Sequence, residues 1–255
     1  MRISRKAWDN YIGILRRLDD RAAREMLARM SRLSDRYNAG EITLDQYERA
    51  LVDYAYAIAT KYGEGASAAA CEMYDAIAEL EGVNVPPALP AATATYGEAA
   101  KTVYGTMKTG NSEIVSSAVG RLVKMAGVDT MQQNAIRDGA EWAWIPVGDT
   151  CAFCITLASR GWQKASKNAL KNGHAEHIHS NCDCTYAVRF KSNLNVEGYD
   201  PQKYKDMYYD TGESTPKARI NAMRREFYAE NKEAINEQKR EAYANRKEME
   251  EYQPE

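Results

Sequence analysis

One stretch, between residues 148 and 190, constrains this chain more than any other, because it holds four of the five cysteines and all three histidines. It contains a Cys-x-x-Cys pair and, after a linker, a His-x-x-Cys-x-Cys group. Thiolates and imidazoles at such spacings are ligands of tetrahedral zinc. Residues two apart on an extended strand face the same side, so both sulfurs of the second group can approach one ion. The pattern predicts five metal ligands: Cys151, Cys154, His179, Cys182 and Cys184.

A structural zinc ion is held by four protein ligands, so these five residues cannot all bind it at once. The sequence favours Cys151, Cys154 and His179 together with one or both of Cys182 and Cys184, and His177 is a further candidate. Disulfides are the first alternative. The chain begins without an apolar signal segment, so we expect reduced thiols and a structural Zn²⁺. A catalytic metal ion with an open coordination position is the second alternative.

These residues carry a resemblance to a known family. The order Asp149, Cys151, Cys154, then His179, Cys182, Cys184 resembles the C-terminal signature of the Mu F-like phage minor head proteins. The run from Val147 to Phe190 is also similar to minor capsid proteins of phages and prophages of Gram-positive bacteria. The resemblance covers roughly residues 129–190, and the linker between the two cysteine groups is longer and richer in Lys and His than in the family.

The resemblance implies a structural virion protein at the portal vertex or inside the head, present in the host cytoplasm during assembly. Its implied partners are the portal protein, the major capsid protein and the packaged DNA. Its implied role is in head assembly, DNA packaging or DNA delivery.

Sequence motifs of common enzymes are absent: the chain has no Gly-x-Ser-x-Gly, no Walker loop and no His-Glu-x-x-His. We therefore predict no catalytic residues and no small-molecule substrate. The rival hypothesis is a metal-dependent nuclease that uses His177 or His179 beside the zinc knuckle, which requires an open metal position. A closed four-ligand site favours the structural protein, whereas an exposed histidine beside an unfilled position favours the nuclease.

Composition is that of an ordinary globular protein, with 44% hydrophobic and 27% charged residues. The net charge of −2 gives no general attraction to nucleic acid. Locally, however, residues 1–36 hold 10 Lys and Arg against 5 Asp and Glu, a net of +5. No run approaches 18 consecutive apolar residues, so we expect no membrane span.

Three helices are predicted in an N-terminal domain, residues 1–82. Apolar residues recur at helical spacing from about Arg5 to Asn38, and arginines occupy the other faces. Those arginines form either a solvated face or a contact with DNA or another acidic partner. Thr43 begins a second helix with a capping box, and this helix is expected to stop near Gly63. A third helix, Ala66 to Leu80, would complete an antiparallel bundle.

Residues 83–92 are rich in proline and are predicted to be a linker. A second helical domain, 93–190, should hold helices at about 95–108, 111–125 and 129–142. The edge strand Trp144–Val147 is expected to pair with Cys184–Phe190 in a small β-hairpin pinned by zinc. The segment between the cysteine groups should form single helical turns at 155–160 and 166–171. Since this region has few large apolar residues, metal binding should supply part of its folding free energy.

The remaining residues, 191–255, are predicted to be a polar linker and an extended C-terminal helical arm. A short helix is expected from Pro201 to Tyr209, and a long one from Thr215 to about Glu250. This arm is either a solvated tail or a segment ordered by a partner. The predicted fold class is mainly α: a helical bundle, then a second helical domain with the zinc-pinned hairpin, then the long C-terminal helix.

Overall fold

The computed structural model of the protein describes residues 1–148, 150–166, 182–237 and 240. The fold is mainly α, as predicted, with a few short strands. The chain divides into two compact units. The first consists of Met1–Val147 and Trp162–Tyr199, and the second of the described residues in Gly148–Gly161 and Asp200–Glu255. None of the described helices is both long enough and apolar enough to cross a membrane.

Helix α1 spans Arg5–Asn38, which confirms the predicted bounds. The Ser4 side chain caps it by accepting from the amide of Ala7. Such a cap satisfies one of the free amides at a helix start. One stripe of α1 is buried against the other helices of the first unit: Trp8, Tyr11, Ile12, Leu15, Ala22, Met26, Met30 and Leu33.

Helix α2 spans Leu44–Glu81 without interruption, so the predicted break near Gly63 and the separate helix at 66–80 are wrong. The Thr43 capping box at its start is confirmed. Gly63 is there for packing: a Cβ at this position would lie 3.0 Å from Thr93 Cγ2 and 3.4 Å from Ala126 Cβ. The glycine therefore lets α2 approach its neighbours and does not end the helix.

The proline-rich segment at 83–92 lies within the first unit. Its backbone is held by side chains of α2 and of helix α4 (Ser112–Asp138), which accept hydrogen bonds from amides that have no partner in a strand or helix. Three such bonds of 2.8–3.0 Å run from the amides of Ala88, Leu89 and Ala91 to the side chains of Asp75, Asn134 and Thr130. The segment is therefore fixed to the helices beside it.

Helix α3 spans Tyr96–Met107 and begins with the predicted Thr95 capping box. Helix α4 spans Ser112–Asp138 and is a single helix, so the two helices predicted at 111–125 and 129–142 are wrong. Gly127, at the expected break, faces α2 closely: a Cβ there would lie 3.2 Å from the carbonyl oxygen of Ala66. Helices α1, α2 and α4 pack on one another and form the bundle.

A three-stranded sheet completes the first unit. Strand β2 (Glu141–Ile145) lies between β3 (Gln163–Lys164) and β4 (Thr185–Arg189), and both pairings are antiparallel. The predicted pairing of these two segments is confirmed, with Trp144 opposite Tyr186. Strand β2 as a whole is central, because β3 pairs with Glu141 and Trp142, whereas Trp144 and Ile145 of the predicted edge strand pair only with β4.

The sheet buries more aromatic surface than was predicted from the sequence. The ring of Tyr186 stacks on Trp142 at 5.0 Å and meets Trp144 edge-on at 4.8 Å between centroids. At the end of β4, the buried carboxylate of Glu81 accepts from the amides of Phe190 and Lys191 at 2.6 and 2.8 Å. The strands therefore have a packed core of their own.

A second, two-stranded pairing was not predicted. Strand β1 (Arg2–Ile3) runs parallel to β5 (Asn195–Val196). Ile3 and Val196 are buried. The pairing joins residues that are nearly 200 positions apart, and neither strand is long enough to give a pattern in the sequence.

The second unit contains α5 (Ala152–Ala158), α6 (Pro201–Tyr209) and α7 (Pro216–Glu230). The predicted bounds of α6 and the Thr215–Pro216 start of α7 are confirmed. The long helix is interrupted by a turn at Asn231 before helical residues resume at 232–237. Its predicted continuation to Glu250 and the predicted turn at 166–171 lie mostly outside the described residues. A small core joins the helices: Ala152, Ile155, Tyr204, Tyr208, Ile220 and Met223.

Candidate metal centre

The Cys-x-Cys half of the predicted site lies in the first unit, directly before β4. Cys182 and Cys184 are both buried, and their sulfur atoms lie within 4.8 Å of each other. The backbone amide of Val147 donates to Cys184 Sγ over 3.4 Å. The expectation that residues two apart turn their sulfurs to the same side is therefore confirmed.

The Cys-x-x-Cys half lies in the second unit, at the start of α5. Cys151 is the N-cap residue of this helix and is half-buried, whereas Cys154, in its first turn, is buried. The neighbouring side chains of Ala152 and Ile155 belong to the apolar core of the unit. That core fixes the backbone that carries both thiols.

The third part of the prediction, His179, lies outside the described residues, as do His177 and Asp149. Within the first unit, the buried thiols of Cys182 and Cys184 lie close enough together to bind the same metal ion. Thiolate donors suit zinc and other soft or borderline metal ions. The donor chemistry of these two thiols therefore fits the predicted zinc ion, and Cys151, Cys154 and His179 stay predicted ligands.

A buried lysine of α4 contacts the segment between Cys182 and Cys184. Lys124 is 7% exposed, and its ammonium donates to the carbonyl oxygen of Cys182 at 3.1 Å and to Asp183 Oδ1 at 3.4 Å. It also pairs with Asp19 of α1 at 2.6 Å. A buried ammonium is tolerated only when its donors are satisfied, and these three acceptors do so.

The same network extends to the surface. Arg16 of α1 donates through Nε to Asp183 Oδ2 at 2.9 Å, with a second bond from its terminal nitrogen to the same oxygen. Burial raises the pKa of the Asp19 carboxyl, although the neighbouring Lys124 ammonium opposes the rise. Arg16 and Lys124 thus both contact Asp183, and Asp19 pairs with Lys124.

Glycine at position 120 makes room for this network. A Cβ there would lie 1.9 Å from Asp19 Oδ1, so only a residue without a side chain lets Asp19 lie against α4. Position 120 is one helical turn before Lys124, on the same side of the helix. Asp19 therefore reaches the lysine across the backbone of α4.

Sequence reasoning missed Lys124 entirely. The available signal was its position: it follows two buried apolar residues, Leu122 and Val123, and precedes buried Ala126 in a helix whose neighbours are mostly buried. A lysine in such a position requires a buried partner. The identity of that partner, however, is not readable from α4 itself.

A family model described as VG15 protein matches residues 2–211. The chain belongs to this family. This is a family of phage proteins, and membership indicates that the chain is a phage protein of the virion type. No curated protein and no solved structure matches the chain. The matched span contains both cysteine groups and Lys124 and ends before α7.

Proposed function

We propose that this protein is a structural minor head protein of a phage or prophage, acting at the portal vertex or inside the head. Its membership of a phage protein family over residues 2–211 is the observation that carries the proposal. The Mu F-like signature at the two cysteine groups supports the finer assignment to minor head proteins. Its proposed role is to assist in head assembly, DNA packaging or DNA delivery.

The proposed metal centre is a structural zinc ion bound by four of the five predicted ligands. Its proposed ligands are those that the spacing favours: Cys151, Cys154 and His179, with one or both of Cys182 and Cys184. When bound, the ion would cross-link two segments that lie about thirty residues apart in the sequence. Structural zinc contributes folding free energy in this way, because the unfolded chain has no preformed site.

The proposed partners are the portal protein, the major capsid protein and the packaged DNA. For DNA, the supporting observation is one side of α1, here called the basic face: Arg17, Arg21 and Arg24, all exposed. Their spacing of four and three residues places them on one side of the helix, away from buried Ala22 and Met26. Guanidinium groups in such a row suit the phosphates of a DNA backbone.

Replacing all three arginines of the basic face with glutamine should weaken binding to double-stranded DNA. Each lost phosphate contact lowers the slope of log K against log salt concentration by about 0.9, so the slope should fall by roughly 3. Fluorescence anisotropy with a labelled duplex at several salt concentrations measures both quantities. A Lys101→Gln, Lys108→Gln variant is the control, because Lys101 on α3 and Lys108 directly after this helix are both exposed. Unchanged binding in the triple variant would mean that the basic face is solvated or meets an acidic protein.

Purified virions test the proposed function itself. Quantitative mass spectrometry of particles from the phage or induced prophage should find the protein in a few copies per virion. Affinity purification from infected cells should recover the portal protein or the major capsid protein with it. Absence from purified virions would overturn the head-protein proposal. Metal-dependent cleavage of plasmid DNA that is lost in a His177→Ala variant would establish the nuclease instead.

A further inference from the structure

We infer that Lys124 is a positioning residue for the metal centre: it holds the segment Cys182–Cys184 so that both sulfurs face the same side. The inference rests on the proposed zinc centre and goes beyond it, because Lys124 belongs to no predicted ligand set. It is drawn from the contacts of the described residues in the first unit.

The first step is the contact with the backbone. The ammonium of Lys124 donates to the carbonyl oxygen of Cys182 at 3.1 Å, and this carbonyl belongs to the peptide that links Cys182 to Asp183. Fixing that peptide limits the backbone angles on either side of it. The direction of each sulfur follows from the backbone that carries it, so the bond acts on the first thiol directly and on the second through Asp183.

The second step is the side chain of Asp183. Its two carboxylate oxygens each accept a hydrogen bond from a cation: Oδ1 from Lys124 Nζ at 3.4 Å and Oδ2 from Arg16 Nε at 2.9 Å. Successive residues of an extended segment point to opposite faces, and residues two apart point to the same face. Holding Asp183 toward the two cations therefore turns Cys182 and Cys184 to the other side, where their sulfurs lie within 4.8 Å of each other.

The third step is that the lysine is itself fixed before any metal binds. Its third bond, 2.6 Å to Asp19 Oδ2, ties it to α1, and the absence of a side chain at Gly120 permits that pairing. Apolar side chains of α1 and α4 line the same cavity as Lys124 and Asp183: Ile12, Leu15 and Val128. Because Lys124 itself is buried, its charge-assisted hydrogen bonds are stronger than they would be in water, and the network is a rigid base for the Cys182–Cys184 segment.

Zinc affinity of the intact protein tests the inference, measured by competition with a chelator for the wild type, Lys124→Met and Asp183→Ala. Loss of a group that orients a metal ligand costs about 10–100-fold in affinity, and we expect a loss in this range for both variants. Lys101→Met is the matched control and should bind zinc as the wild type does, because Lys101 is exposed on α3. With Co²⁺ in place of zinc, the thiolate charge-transfer band of both variants should weaken or shift.

Unfolding of the metal-free proteins separates positioning from a purely structural role. Asp183→Ala removes no side chain from the helical core, so it keeps the test valid even where Lys124→Met fails to fold. If both folded variants bind zinc as tightly as the wild type and give its cobalt spectrum, the inference is overturned and Lys124 only stabilises the bundle. If the wild type itself binds no zinc, the metal centre fails, and the inference fails with it.

Discussion

Replacing Cys184 with serine is expected to abolish stoichiometric zinc binding and to lower the free energy of unfolding by about 5 kcal/mol. Isolated zinc-finger peptides owe about 10–16 kcal/mol to their metal ion because they have almost no other core. This protein should lose less, because it has an aromatic core besides the metal centre, in which Trp142 and Trp144 both pack on Tyr186. The sheet should therefore persist in the variant, and the Cys182–Cys184 segment should become labile.

Serine is a sharp probe at this position because it nearly matches cysteine in size and still accepts the hydrogen bond from the amide of Val147. The measurements are metal content by mass spectrometry and urea unfolding, with and without a chelator. Cys71→Ser is the matched control: Cys71 is half-buried on α2, outside the metal motif. It should bind one zinc ion per chain and lose no more than about 1 kcal/mol. A wild type that contains no zinc when kept reduced would show that the cysteines are core residues or form disulfides.

Helix ends were predictable wherever one or two neighbouring residues determine them. Thr43 and Thr95 each begin a capping box, and Pro201 and Pro216 each occupy the first position of a helix. Such signals are local, because the cap and the amide it satisfies lie within three residues of each other. The start of every helix named here can therefore be read without knowledge of the fold.

Glycines in the bundle misled the prediction because their reason is not local. Gly63 was predicted to end a helix, and Gly127 lies in the gap predicted between 125 and 129, yet both are inside long helices, where α2 and α4 approach each other. From the sequence alone, a glycine that ends a helix cannot be told from one that lets two helices pack closely. Only the partner surface, here Ala66 and Ala126, distinguishes the two.

The candidate site also has one feature that could be predicted from local sequence and one that could not. The spacing of Cys182 and Cys184 predicted the side-by-side sulfurs, because alternation along an extended segment is a local property. The contact of Lys124 with the Cys182 carbonyl joins residues 58 positions apart, and its ion pair with Asp19 depends on Gly120 as well. The role of Lys124 can therefore be inferred only when the positions of Asp19, Gly120 and Cys182 around it are known.

Asp129 gives the second large effect, and it concerns pH. This half-buried carboxyl lies on α4, and burial, aided by the negative charge of Glu98 on α3, raises its pKa from 3.8 to about 6. Between these two values the folded protein keeps the proton that the unfolded chain has released. Stability contributed by Asp129 is therefore full below about pH 4 and is lost as the pH rises through 6. A full shift of this size corresponds to about 3 kcal/mol, and partial exposure reduces the expected figure to about 2 kcal/mol.

The Asp129→Asn variant should consequently be more stable than the wild type at pH 7, by about 2 kcal/mol, and nearly equal to it at pH 4. An asparagine carries no charge at either pH, so the buried position no longer bears the cost of an ionised carboxylate. Urea unfolding at pH 4, 5, 6 and 7 measures the difference. Glu72→Gln, an exposed carboxylate on α2, is the control and should change the free energy of unfolding by less than about 0.5 kcal/mol at each pH. A constant difference between Asp129→Asn and the wild type across this range would mean that the carboxyl titrates alike in the folded and unfolded chains, and that α3 and α4 do not enclose it as the structure indicates.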